Sequence, residues 1–294
     1  MSDRDVQNLL HRAEALMKTN WIHAVQLLIQ AAEENPQDPR PLIALGDYYQ
    51  RRQLYDKAVK SYQSALKLKP GDNQLKLIIG NTFFAQGEYQ LAIVYYDQIT
   101  DPHSDVRFNK ALALAYLGRN RESIEIMKNL MSVIDNNPFI YFLLIEQLLR
   151  VEDYEAAQRY IARAEAKIGH HRHLLLLKGL TYARFQNWLL ALNAFREYDR
   201  SGALIQTEHV LIYAECAVKC GAPALAIPPL ERAIERNPYS MGLYEEIIRL
   251  LIQQKHTDKA RHYMNEAKRF FPLLSPLLQL LQSRLAKMDL EMQV

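Results

Sequence analysis

Small and large apolar residues alternate with polar ones along this chain in an order that returns every 34 residues. Between Pro41 and Pro70, Leu45-Gly46, Tyr49, Tyr55, Ala58, Tyr62 and Ala65 stand in fixed phase. They align with Ile79-Gly80, Phe83, Tyr89, Ala92, Tyr96 and Ile99 one period later. A fixed period of this length predicts one helix–turn–helix unit per period and a row of such units. At 294 residues the chain also exceeds the usual size of a single core.

The units are legible in turn. The first runs from about Asp5 to Pro36 and the second from Pro39 to Pro70. The third begins near Asn73 and is short by about one helical turn near Pro102, and the fourth begins near Ser104 with Gly118 at its turn. The fifth begins at Pro138 and the sixth near Arg172; the seventh spans Thr207 to Pro238 and the eighth Met241 to Pro272. Ala24, Ala58, Ala92, Ala157, Ala191, Ala226 and Ala260 share one phase in the second helix, where a small side chain lets helix axes approach. Gly46, Gly80 and Gly179 are the small residues of the first helix, and Tyr62, Tyr96 and Phe195 fill the remaining space. Pro36, Pro70, Pro238 and Pro272 end second helices, because proline cannot continue the hydrogen-bond ladder. Two departures stand out. Ser123 replaces the small alanine of the fourth unit, and Pro228-Pro229 should kink the second helix of the seventh or delay its start. From Leu273 onward, Leu274, Leu277, Leu278, Leu281, Leu285 and Met288 recur at helical spacing, which predicts a terminal helix that covers the last repeat; the alternative is a leucine-rich docking or dimer surface.

These phased positions resemble the tetratricopeptide-repeat family, and the resemblance covers nearly the whole chain. It implies an all-α fold: a right-handed superhelical solenoid of about eight helix–turn–helix repeats over residues 1–272, with a C-terminal capping helix over 273–294. It also implies that the first helices of each pair line a concave groove that takes a peptide or helix of another protein. The groove-facing positions of the second repeat are Arg40, Ile43, Asp47, Gln50 and Arg51, and those of the third include Leu77, Asn81 and Phe84. The fourth offers Phe108, Asn109, Leu112 and Tyr116, and the fifth Phe139, Phe142, Glu146, Leu149 and Arg150. The sixth offers His173, Leu176, Leu180 and Arg184, and the seventh Glu208, Glu215 and Lys219.

Some members of the family clamp a partner's C-terminal carboxylate with lysines and asparagines. Here Asn81 and Asn109 occupy the asparagine positions, but Leu77, Phe139 and Leu143 replace the cations, so the ion-pair donors are missing. A mixed groove remains. Phe84, Phe108, Tyr116, Phe139 and Phe142 are its aromatic anchors or pack between repeats, and Arg51, Arg150, Arg184 and Lys219 share one phase as a basic rail. The amides of Asn81 and Asn109 need partners that a peptide backbone would offer.

Composition narrows the picture further. Net charge is only +3, with no basic run to grip nucleic acid. Neither a membrane-spanning run of apolar residues nor a signal peptide is legible, which points to a cytoplasmic protein. Cys216 and Cys220, four apart on one predicted helix, read as two packed thiols rather than a disulfide. His170-His171-Arg172-His173 is the one metal-like cluster, and it reads as a solvated turn. No catalytic motif is present, so the expectation is a binding scaffold or adaptor without cofactor, metal or enzymatic activity. The alternative is a structural subunit of a larger assembly or a self-associating oligomer.

Overall fold

The computed structural model describes residues 3–204 and 206–291. The described residues are all-α, in two compact units, Met1–Asp135 and Asn136–Val294. The first unit contains α1 (Asp3–Leu16), α2 (Trp21–Glu34), α3 (Arg40–Arg51), α4 (Tyr55–Leu68), α5 (Asn73–Gln86), α6 (Tyr89–Asp97), α7 (Ser104–Tyr116) and α8 (Asn120–Met131). The second contains α9 (Pro138–Arg150), α10 (Tyr154–Ile168), α11 (Arg172–Arg184), α12 (Trp188–Ser201), α13 (Thr207–Lys219), α14 (Ile227–Arg236), α15 (Met241–Gln253), α16 (Thr257–Phe270) and α17 (Pro276–Glu291). In each unit consecutive helices pack as pairs. First helices also meet one another, α9 with α11, α11 with α13 and α13 with α15.

The small residues do what their phase predicts. Ala24, Ala58, Ala92, Ala157, Ala191, Ala226 and Ala260 are all fully buried. The first-helix glycines lie under aromatic rings of the second helix: Gly46 under Tyr62, Gly80 under Tyr96 and Gly179 under Phe195. Ser123 is accommodated because its buried hydroxyl donates to the Ala111 carbonyl at 2.8 Å. The four prolines that close second helices each stand two residues past the last helical residue. α6 is short, nine residues against fourteen in α4, as the third period requires.

The seventh repeat takes the delayed start rather than the kink. Pro223–Ala226 forms a 3-10 turn, and α14 then begins at Ile227 with Pro228 and Pro229 in its first turn. Those positions need no intrahelical donor, so the missing N–H groups cost nothing there.

Aromatic residues at the start of second helices reach the end of the next repeat's first helix. Trp21 stacks on Tyr48 at 6.3 Å, Tyr89 on Tyr116 at 4.7 Å, and Tyr154 meets the edge of Phe185 at 6.1 Å. At the end of the chain α17 lies against α15 and α16. It buries Leu278, Leu281 and Leu285 while Leu277 and Leu280 stay exposed, so the apolar stripe is narrower than the leucine spacing suggests.

Candidate binding surface

In the second unit, a cavity of about 660 Å³ crosses the first helices α9, α11 and α13. Its floor is Leu149, Leu176, Leu177, Leu180 and Ile212. Glu146, Arg150 and Glu152 face it from α9 and the turn beyond, His173 and Arg184 from α11, and Glu208 and His209 from α13. The sequence places Glu146, Leu149, Arg150, His173, Leu176, Leu180, Arg184 and Glu208 on this face, and the fold brings all eight to one cavity. Glu152, Tyr154, Leu177, Tyr198, Gln206, His209 and Ile212 also line it and were not legible, because they lie outside the groove-facing phase.

His173 Nε2 lies 2.9 Å from Glu146 Oε1, across 27 residues of sequence. The buried ring of Phe142 holds this arrangement from behind, 4.6 Å from the His171 ring and 4.8 Å from the His173 ring. Phe142 is therefore not presented to a partner; it packs, while Phe139 beside it is 64% exposed. Burial lowers the pKa of His209, reinforced by the charge of a protonated His173 and opposed by Glu208. Lys219 does not join Arg150 and Arg184 in this cavity. Its ammonium stands over the Trp188 ring at 5.8 Å, in a shallow depression with Phe185 and Cys220. Cys216 is buried and its thiol is pushed up to about 12 by that burial.

In the first unit a second cavity, of about 480 Å³, opens between α1 and α3. Leu10, Met17, Leu28, Ile43, Ala44 and Tyr48 form its apolar lining, and Glu14, Lys18, Arg40, Asp47, Arg51 and Arg52 its polar one. Arg40, Ile43, Asp47 and Arg51 were expected here; the contribution of α1 was not. Asp47 is already engaged, since the Tyr62 hydroxyl donates to its Oδ1 at 2.7 Å and lies 2.9 Å from Gln50 Oε1. Burial and this carboxylate together raise the Tyr62 pKa far above that of a free tyrosine. Arg40 pairs with Asp38, whose carboxyl is held below its ordinary value by that bond.

Between α5 and α7 the asparagines pair with each other. Asn81 Oδ1 accepts from the Tyr96 hydroxyl at 2.8 Å and from Asn109 Nδ2 at 3.1 Å. The expectation that these amides wait for a peptide backbone is corrected to that extent: the fold supplies the Asn81 acceptor with both donors. Phe84 is half-buried and packs edge-on against Tyr89 and Tyr116, at 5.2 and 5.7 Å, so it serves the interior more than the surface. Tyr116 is 61% exposed, whereas Leu77, Phe108 and Leu112 are half-buried. Among the described residues no group of His, Cys, Asp or Glu has the arrangement of a metal site, and no helix is long and apolar enough to cross a membrane.

The chain carries the tetratricopeptide repeat: residues 43–107 match the model of that family. No curated protein matches the sequence. A tetratricopeptide repeat protein from Parabacteroides merdae superposes with a TM-score of 0.61 at 13% identity, covering 84% of this chain and 98% of its own. A chain of the APC/C hetero-tetramer Cut9-Hcn1 gives 0.57 at 14%, covering 97% of this chain and 57% of its own. YrrB, a tetratricopeptide repeat protein with an unusual peptide-binding site, gives 0.52 at 19%, covering 64% and 96%. At these identities the likeness speaks for the fold.

Proposed function

We propose that this protein is a binding scaffold that holds a segment of another protein on the face of its first helices, and that it works by binding rather than by bond-making chemistry. The observation that carries this reading is the cavity across α9, α11 and α13. Three successive repeats contribute to it, its floor is leucine-rich, and Arg150 and Arg184 stand on it without a carboxylate partner among the described residues. Apolar pockets with a few convergent polar groups are where ligands anchor, and arginine is enriched among binding hot spots. The cavity between α1 and α3, with Asp47, Gln50 and Arg51 at or near it, is a second point of hold in the first unit. On α5 and α7 the accessible part of the surface is Tyr116 together with Asn81 Nδ2, which has no protein acceptor among the described residues. The peptide-binding site of the structurally similar YrrB is consistent with this use of the fold.

The test is capture of partners from the native host by the wild-type chain and by the Arg150→Glu/Arg184→Glu variant. Both arginines are exposed, so the variant should keep its helical circular dichroism and melting temperature. Partners retained by the wild type and lost by the variant are the expected result. Identical capture by both would move the binding site off this face.

A further inference from the structure

The α9–α11–α13 cavity has unmatched charge of opposite sign at its two ends. At the C-terminal ends of α9 and α11 stand Arg150 and Arg184, with the single carboxylate of Glu152 and the Tyr154 hydroxyl nearby in the lining. Toward the N-terminal ends of α11 and α13 stand Glu208, His173 and His209, with Glu146 reaching His173 from α9. Arg172, at the start of α11, is engaged elsewhere: it lies 3.9 Å over the Tyr198 ring and donates to the Gly202 carbonyl at 2.7 Å. Glu146 stands only one helical turn before Arg150 on α9 and is already held by His173, so the far end carries the single carboxylate of Glu208 and the other end two guanidiniums offset by Glu152. Leu176, Leu177, Leu180 and Ile212 separate them.

The span follows from helix geometry. His173 and Arg184 bound α11's part of the cavity, and at ~1.5 Å of rise per residue they stand about 16 Å apart along the axis. An extended chain advances ~3.3 Å per residue, so about five residues cover that distance.

We propose that this cavity selects an extended partner segment of bipolar charge. An acidic side chain sits on Arg150 and Arg184, a basic one on Glu208 about five residues away, and apolar side chains cover the leucine floor between them. The inference rests on the reading of this face as a partner-binding surface and adds to it the chemistry of the partner. It also gives the site a pH dependence. Protonated His209, which lines the cavity beside Glu208, brings a positive charge to the end where the partner's cation must lie. Acid therefore favours release. His209, held neutral by its burial, takes its proton below the ordinary histidine range.

Three fluorescein-labelled peptides of equal length and identical Leu-Ala-Leu centre test the proposal by fluorescence anisotropy on the full chain. One has glutamates at one end and lysines at the other, one has glutamates at both ends, and one has lysines at both. The bipolar peptide should bind at least tenfold more tightly than either other at pH 7.5, and weaken at least threefold once pH is taken well below the ordinary histidine range. Arg150→Glu/Arg184→Glu should reverse the preference toward the all-lysine peptide, and Glu208→Lys toward the all-glutamate one. Equal binding of all three peptides, or an unchanged preference in both variants, overturns the charge rule while leaving the surface as a partner site. Failure of every peptide to bind also overturns it; whether host proteins use this face is read separately, from their capture.

Discussion

The ring of Tyr62 occupies the space that a side chain at Gly46 would need: a Cβ at that position would lie 2.3 Å from Tyr62 Cε1. The same contact recurs at 2.5 Å between Gly80 and Tyr96 and at 2.9 Å between Gly179 and Phe195. Close approach of the two helices of a pair is thus set by a glycine on one and a ring on the other. Gly46→Ala should cost about 1–3 kcal/mol through overpacking, and Ala92→Leu a similar amount, measured by urea denaturation. Gly71 has open space around it, so Gly71→Ala should stay within ~0.5 kcal/mol of the wild type. Equal stability of Gly46→Ala and Gly71→Ala would contradict this packing.

Asn81 is a structural residue before it is a binding one. Replacing it with alanine strands the Tyr96 hydroxyl and Asn109 Nδ2, both of which donate to its side chain. An unsatisfied donor in a partly buried setting costs about 1–3 kcal/mol, so Asn81→Ala should lower the denaturation midpoint visibly. Tyr96→Phe, which removes one donor together with its need for an acceptor, should cost less. A neutral Asn81→Ala would show that the two donors find water instead.

Much of this fold is legible in the sequence because close helix packing needs small residues at one phase, and seven alanines stand there. The two prolines at 228 and 229 show the limit of that reading. A proline pair inside a repeat permits a kink or a late start, and the choice depends on the 3-10 turn at Pro223–Ala226. The site is legible only in part. Glu146, Arg150 and Arg184 follow from helical phase, since phase fixes which way a side chain leaves its helix. The Asn81–Asn109 bond joins residues 28 apart and the His173–Glu146 contact residues 27 apart, so rotamers on two helices decide them. Phase alone likewise cannot tell Phe142, buried behind two imidazoles, from Phe139, exposed three residues away.

His209 makes stability pH-dependent with a definite sign. Burial lowers its folded pKa, so below the unfolded value near ~6.5 the unfolded chain binds more protons than the folded one. Its contribution is present above that value, is lost as pH falls through the window below it, and levels off once pH passes the folded pKa. Melting temperatures measured from pH 8 to pH 5 should fall on the acid side, and His209→Gln should flatten part of that limb. Superimposable profiles would exclude His209 as a source of the slope.

Two leucines of α17 separate a covering helix from a free one. Leu278 is fully buried against the last repeat, and Leu280 is 65% exposed. If α17 caps the repeats, Leu278→Ala should cost about 2–5 kcal/mol and Leu280→Ala should be nearly neutral by chemical denaturation. Near-neutral values for both would mean that the helix docks too weakly to serve as a cap.

The most direct measurement is photo-crosslinking in host cells from a benzophenone amino acid placed at Arg184 or Glu208, on the rim of the cavity, and at Arg163, exposed on α10. The account predicts covalent adducts to the same partner protein from both rim positions and none from Arg163. Adducts from Arg163 alone, or from no position in cells where the wild-type chain captures its partner, would contradict the claim that the first-helix face does the binding.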